Sequence, residues 1–535
     1  STRNSGEITV TSSLVSALQT ILEPGKRHAL WIDQICINQS SPEEKGQQVQ
    51  LMRWIYERAA SVHVWLGPAA EDSDEAMLYL DKNDSASLAR DLADSSRTRL
   101  NSRIRLALEN LFSRSYWTRT WTLQEASALR SLQASISCGH KSVHLGRVFD
   151  WVAAGNSSAN AFSEQILQVQ GTGVLAMYFF WHMRRRSAQA LMILVNAVRN
   201  LIASDPRDKV YSMLNFATDI RGSGIKPDYT KTVRQTYTEL VLWSIGTYQR
   251  LDVLGDCHPS LTDDAAPSWV PDWNEQFSIT PFFKISDSID PESIPLYRAS
   301  GEYIRDLKLR HLDVDTRLLS LSGVRVADVT FVLNTVPPEY DSWAVQKTWQ
   351  PQNGNTICPL NLIPMRKVFR RTMYLDISRR KDGNWLRGNA LPLPWDMKGL
   401  VVSPEEAWAI ENFRRMSHGR RSFYTRPCAG SSQGLLCLSV NTTRSGDELW
   451  ILKGGKMPFI LRPKAMTISH TDLETGEASE LPVDAGMPTY ELVGEAFVLG
   501  LMDGEIIDML GELPKRERPA PLSDMDREFR KIGLI

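Results

Sequence analysis

Apolar residues in the first part of the chain fall into two rhythms. Leu14, Ala17, Leu18, Ile21 and Leu22 recur at helical spacing until Pro24-Gly25 breaks the run. Ala29 to Ile32 is continuously apolar and reads as a strand buried on both faces. Pro42, Glu43 and Glu44 suit the first turn of a helix, where unpaired N–H groups favour carboxylates. Val49, Met52, Tyr56 and Ala59 mark the buried face of that helix. Val62 to Leu66 predicts a second buried strand, closed by Gly67-Pro68. Strand, helix, strand and turn make a βαβ unit, so the expectation is an α/β fold around a parallel sheet.

Residues 71–109 are polar, rich in Ser, Asp and Arg, and read as an insertion or mobile excursion with helical patches. The apolar pattern resumes with Leu111, Phe112, Trp117, Trp121, Leu123 and Ala126, then a short strand at Ser135 to Ser137. Helices are expected over 150–185, along Leu191, Val195, Val198 and Ile202, and along Val233, Tyr237, Leu240 and Val241. Pro267 to Trp273 reads as a rigid, packed connection. Leu319, Leu321, Val324, Val326 and Val329 are strand material; 335–360 reads as a long loop, and 362–420 as basic helical sequence. From Gly430 onward short apolar stretches alternate with glycine turns, the rhythm of a small barrel or compact sheet. The division this predicts is an α/β domain over 1–217, a helical and Pro/Trp-rich connection over 218–300, a mixed region over 301–425, and a small β-rich, barrel-like domain with a terminal helix over 426–535.

Composition narrows the class. A chain of 535 residues with 42% hydrophobic content is enough for two or three cores. The net charge of -1 gives no global attraction to nucleic acid or to an acidic membrane. The six cysteines are scattered without CxxC or zinc-finger spacing, which favours free thiols in a reducing compartment and a cytoplasmic location. There is no apolar run of the roughly 18 residues a bilayer span requires, and no signal peptide. The start at Ser1 predicts a trimmed or cleaved product.

Three stretches carry candidate chemistry. Asp33, with Asn38 and Gln39, follows the first expected strand, and in open α/β sheets ligands bind beyond the strand C-termini. A carboxylate there either anchors a sugar hydroxyl or satisfies loop and helix-end amides. Cys36, between two isoleucines, reads as a buried small hydrophobe. In Arg119-Thr120-Trp121-Thr122-Leu123-Gln124-Glu125, a helix would put Trp121 and Glu125 one turn apart on one face. An aromatic platform beside a carboxylate can hold a ring and stabilise a cationic transition state; equally, Trp121 is core and Glu125 pairs with Arg119 or Arg114. In Asp205-Pro206-Arg207-Asp208, Arg207 either clamps the helix to the neighbouring loops or contacts a ligand. The expected pocket has Glu125 and Asp33 as its catalytic groups and Asn38, Gln39, Arg119, Trp121 and Arg207 as its binding groups. Glycine-rich nucleotide loops, a nucleophile elbow and metal-binding histidine pairs are lacking, so no metal site is assigned. The basic run Arg414, Arg415, His418, Arg420, Arg421 and Arg426 reads as a solvated or salt-bridged face rather than a nucleic-acid site.

An ordered series of motifs carries a resemblance. Trp31 to Gln39, Gln48 to Met52 with Ile55-Tyr56, Val64 to Gly67, Tyr116 to Glu125, and Asp205 to Tyr211 together resemble the fungal heterokaryon-incompatibility (HET) domain. The resemblance covers about residues 1–217 and continues weakly beyond. The family usually opens with a strand containing Tyr-x-x-Leu-Ser-Tyr-x-Trp-Gly, which this chain lacks; a cleaved or shortened member is expected. The resemblance implies a TIR-like or Rossmann-like sheet and a role in nonself recognition and programmed cell death. It also implies self-association or a protein partner. Because some TIR domains hydrolyse NAD through a glutamate, it brings NAD in as a candidate small-molecule substrate, with no cofactor assigned. An enzyme of secondary metabolism is the alternative.

Overall fold

The computed structural model describes residues 9–22, 25–83, 102–127, 134–157, 172–183, 190–258, 266–275, 282, 297–301, 317–333, 351, 354–358, 360, 362–379, 385–387, 419–427, 434–465, 467–471, 478–482, 487–511, 525 and 528–535. The chain is mixed α/β and divides into two compact units. One comprises Ser1–Thr236 with Trp273–Gln276; the other comprises Tyr237–Asp272 with Phe277–Ile535.

The first unit opens with helix α1 (Ser12–Ile21) and the single turn α2 (Asp33–Cys36). Helix α3 (Pro42–Arg58) follows, its N-terminus set by Pro42 and by Ser41, whose Oγ accepts the Glu44 N–H. Strand β1 (Val62–Trp65) pairs in parallel with β2 (Ala134–Cys138), which pairs antiparallel with β3 (Lys141–His144). The sheet is therefore three-stranded and mixed, in the order β1-β2-β3. The expected strand at Ala29 to Ile32 is not formed. Its backbone at Ile32 is extended, but no strand among the described residues lies alongside, and Leu30 is 41% exposed. An apolar run becomes a strand only where a neighbour completes its ladder.

Helices α4 (Ser73–Lys82), α5 (Ser102–Phe112), α6 (Ser115–Thr118), α7 (Thr122–Ser127), α8 (Leu145–Ser157), α9 (Thr172–Met183), α10 (Leu191–Ala197) and α11 (Asp208–Leu214) complete this unit. Helix α4 corrects the reading of 71–109 as an excursion. Its Ala76, Met77 and Leu80 are fully buried, and it packs on α5 and β3. Asp74, Asp81 and Lys82 lie on the exposed side of this amphipathic helix, while residues 84–101 of that stretch lie outside the described residues. Helices α6 and α7 pack against α9, where Gly173 admits the Trp117 carbonyl; an added Cβ would sit 1.5 Å from that oxygen. Beyond α10 the chain end is held by Lys209, which is buried and whose ammonium donates to the Val198, Arg199 and Leu201 carbonyls. One buried ammonium thus satisfies carbonyls of the turn that follows the helix. Helix α12 (Val233–Tyr248) carries the chain across the division.

The second unit is built on a β-rich sheet. It includes β4 (Leu319–Val332), β7 (Arg420–Thr425), β8 (Leu436–Val440), β9 (Glu448–Leu452), β10 (Phe459–Pro463), β13 (Thr489–Val498) and β14 (Arg530–Leu534). The order is β10-β9-β4-β14-β13-β8-β7, and the additional pairings β10–β13 and β4–β7 close it on itself. Closure depends on β4 and β13, which are long enough to change neighbours along their length. β4 pairs in turn with β14, β9 and β7, through register shifts at Arg325/Ala327 and Val329/Phe331. Two hairpins, β5 (Ile377–Arg379) with β6 (Trp385–Arg387) and β11 (Thr467–Thr471) with β12 (Ala478–Pro482), stand apart from it. One core joins Val324, Phe423, Cys437, Ile451, Ile460 and Val493; a second sets α13 (Met365–Met373) against Leu436, Leu438 and Phe497. Every residue of β8 is buried because both of its faces are covered. Helix α14 (Glu505–Gly511) precedes the last strand, so the chain closes on a strand.

The basic run divides where it is described: Arg426 is exposed and pairs with Asp328 at 3.6 Å, as expected of a salt-bridged face, whereas Arg420 and Arg421 turn inward. Arg420 on β7 is 2% exposed and lies 4.0 Å over the Phe282 ring, and burial pulls its guanidinium down to about 9. Arg421 donates to the Thr443 carbonyl at 3.1 Å. Arg414, Arg415 and His418 lie outside the described residues. Strand alternation separates side chains that adjoin in sequence.

Candidate functional site

Helix α7 is short because the chain enters and leaves it through fixed points. The Thr120 N–H and hydroxyl both reach the Ile202 carbonyl, each at 3.0 Å. The Thr122 hydroxyl donates to the Arg119 carbonyl at 2.7 Å. Gln124 is fully buried; its amide donates to the Ser212 carbonyl at 2.7 Å and ties α7 to α11. With Gln124 and Leu123 committed to the interior, Glu125 is turned toward α2, α3 and α6.

There it meets four groups, two of them distant in sequence: Asp33 on α2 and Tyr56 on α3, with Tyr116 on α6 and Arg119 from nearby. Glu125 is strongly desolvated, yet the residue keeps part of its surface in contact with water. Burial, then the negative charge of Asp33, push the Glu125 carboxyl up to about 7; Arg119 and the Tyr116 hydroxyl pull the other way. Both phenols are held well above their ordinary range, by burial first and by the charge of Glu125 second. Trp31 meets the Tyr56 ring edge-on at 5.6 Å and forms a wall on the Asp33 side. The Tyr116 hydroxyl is shielded from water and closes no hydrogen bond of full geometry. The indole N–H of Trp65 is likewise buried without a partner, at the end of β1, which packs on α7. Arg119 is exposed, and its charge acts on Glu125.

The other expected residues are placed as follows. Asp33 accepts the Gln34 N–H at 2.8 Å and begins α2, with no strand before it. Asn38 accepts from Ser40 at 3.1 Å, and its own N–H reaches Glu44 at 3.0 Å. The Gln39 amide donates to the Asp33 carbonyl at 3.3 Å. Asn38 and Gln39 are both exposed. Trp121 directs its indole N–H away, to Asp208 at 2.8 Å. Arg207 is committed to the protein, with two bonds to Asp205 and two to the carbonyls of Tyr229 and Lys231. Asp208 also accepts from Tyr229 at 2.6 Å; burial nonetheless holds its carboxyl above the ordinary value, against the pull of two donors. Arg114 donates to the carbonyls of Leu66, Pro68 and Ala70 rather than to Glu125. Cys36 is exposed, not buried, because α2 is a single surface turn without a sheet beneath it. The structure therefore joins Asp33, Glu125 and Arg119, directs Trp121 to Asp208, and ties Arg207 to Asp205 and the Tyr229 and Lys231 carbonyls.

Sequence reasoning missed Tyr56 and Tyr116. Tyr56 lies on the buried face of α3 and reads as core, while Tyr116 is half-buried in a turn too short to show periodicity. Their signal is membership of the motif series, in Ile55-Tyr56 and in Tyr116 to Glu125, which assigns them no role at the site.

Among the described residues no group of three His, Cys, Asp or Glu side chains is placed to hold a metal ion. None of their helices is long and apolar enough to cross a membrane.

Comparison with known proteins bears on this region directly. A family model, Heterokaryon incompatibility protein (HET), matches residues 2–125. Over nearly its whole length the chain is similar to Heterokaryon incompatibility protein 6, OR allele, of Neurospora crassa, at 24% identity over 93% of this chain and 85% of that protein. No solved structure matches. Residues 2–125 thus match a HET domain, and Asp33, Tyr56, Tyr116, Arg119 and Glu125 all lie inside the matched stretch.

Proposed function

We propose that this protein is a heterokaryon-incompatibility effector of fungal nonself recognition and programmed cell death, acting from the cytoplasm through the Glu125 pocket. The family match and the relative's name support the incompatibility role. The observation that carries the pocket is the meeting of Asp33 and Glu125, which are far apart in sequence but close enough for one charge to perturb the other. Two carboxyl groups in one cleft, one near its midpoint at neutral pH, give the site both an acid and an anion. Self-association accompanies this reading, as the means of bringing such pockets to an active state.

The chemistry that suits these groups is hydrolysis of an N-riboside, with NAD as the candidate substrate. The bond between ribose C1′ and the pyridinium nitrogen breaks, and its electron pair leaves with neutral nicotinamide. The anionic carboxylate of the pair stabilises the cationic ribosyl group, water adds at C1′, and its proton passes to a carboxylate or to solvent. A TIR-like arrangement of the sheet belongs to this same proposal. The test has two arms. Induced expression of the full chain in a filamentous fungus should cause growth arrest and uptake of a vital dye, and Glu125→Gln should abolish both. Purified protein should release nicotinamide from NAD, with Glu125→Gln lowering the rate at least about 100-fold, the scale on which an acid–base group contributes. Killing that survives Glu125→Gln would refute the pocket; killing without nicotinamide release would refute NAD alone.

A further inference from the structure

Among the groups that surround Glu125, one hydroxyl stands out. The Tyr116 O–H is buried beside the Glu125 carboxyl group and closes no hydrogen bond of full geometry. Buried hydroxyls rarely stay unpaired, because the lost contact with water must be replaced. The acceptor that adjoins it is Glu125. A protonated carboxyl group is a weak acceptor, whereas a carboxylate is a strong one.

We propose that Tyr116 is the positioning residue of this pocket: its phenol O–H closes onto Glu125 when that carboxyl group gives up its proton, and so fixes where the anion points. This rests on the pocket reading above. The other groups facing Glu125 cannot take this part. Asp33 on α2 carries like charge, and Arg119 is exposed. Tyr56 on α3 feels the charge of Glu125 but is not among the groups that perturb Glu125 in return. The other charged groups on α3 are engaged elsewhere: Arg53 pairs with Glu57, and Lys45 lies over the Tyr229 ring. On the remaining elements packed against α7, His63 of β1 meets the Ser135 hydroxyl at 3.0 Å, and Tyr178 of α9 lies by Asp150 and Phe149.

The test reads Glu125 directly, without a substrate. The full-length protein is labelled with a carbodiimide and an amine across pH, and modification of Glu125 is followed by peptide mass spectrometry. Tyr116→Phe removes only the hydroxyl, so the Glu125 midpoint should rise by about one pH unit, the tenfold change one charge-assisted hydrogen bond makes. Tyr56→Phe should leave the midpoint in place, and Asp33→Asn should lower it. A site-specific 3-fluorotyrosine at position 116, a stronger donor on an unchanged ring, should lower it as well and covers the case in which Tyr116→Phe fails to fold. A merely structural Tyr116 predicts the reverse for Tyr116→Phe: loosened packing admits water and the midpoint falls toward that of an open carboxyl group. No change or a fall in Tyr116→Phe, or no fall with fluorotyrosine, overturns the proposal. An ordinary carboxylate midpoint in the unmodified protein would instead remove the pocket reading itself.

Discussion

At the scale of single residues, the decisive feature is a glutamate that keeps its proton longer than the unfolded chain would. The folded midpoint of Glu125 is about 7, above the ordinary value of 4.5. Between those values the native state binds more protons than the unfolded state, so stability contributed at low pH is lost as pH rises through this window. Glu125→Gln is neutral in both states and should remove that part of the slope. Urea midpoints recorded from pH 4.5 to 8 should fall with pH in the native sequence and stay flatter in Glu125→Gln, with the variant the more stable of the two at pH 8. Identical slopes would mean that the carboxyl group is not enclosed.

At the scale of elements, the site depends on the short helices α6 and α7 being pressed against α9. Gly173 makes that contact, since a side chain there would run into the Trp117 carbonyl. Gly173→Ala should therefore separate these elements, costing roughly 2–3 kcal/mol as overpacking of a core contact. Thermal unfolding of the variant should begin at lower temperature, and the Glu125 midpoint should drop as water enters. The same level explains which motifs were legible. The spacing of apolar residues revealed α1 and α3, and short apolar runs revealed β1 and β2. It misread Ala29 to Ile32, whose composition suits a strand but whose surroundings supply no ladder. It also misread 71–109, where the polar side of α4 concealed three fully buried apolar residues.

At the scale of the molecule, the first unit runs past the point where its sequence motifs stop. Tyr229 and Asp228 close on α11 from beyond residue 217: the Tyr229 hydroxyl holds Asp208, and the Tyr211 hydroxyl donates to the Asp228 carbonyl at 2.8 Å. The chain returns once more at 273–276, where the Glu275 carbonyl accepts from Arg199 at 3.2 Å. A fragment ending at residue 217 should consequently melt well below one ending at residue 236, or fail to fold, when the two are compared by circular dichroism. Equal melting would place the boundary at the shorter end. The second unit poses the same lesson differently: its closed sheet recruits β4, from residue 319, alongside strands that begin at 420.

The local rules of the chain settled what is local. Helix starts at Ser41-Pro42, strand-forming runs, the motif series of the HET domain and the candidacy of Asp33 and Glu125 could all be read without coordinates, because capping, periodicity and residue chemistry act over a few neighbours. Tertiary structure alone decided which side chains meet. It gave Trp121 to Asp208 and Arg207 to Asp205 and two carbonyls, released Cys36 to the surface, and set two tyrosines around Glu125. A raised carboxyl midpoint is a property of enclosure and neighbouring charge, and both arise only when segments some ninety positions apart are folded together.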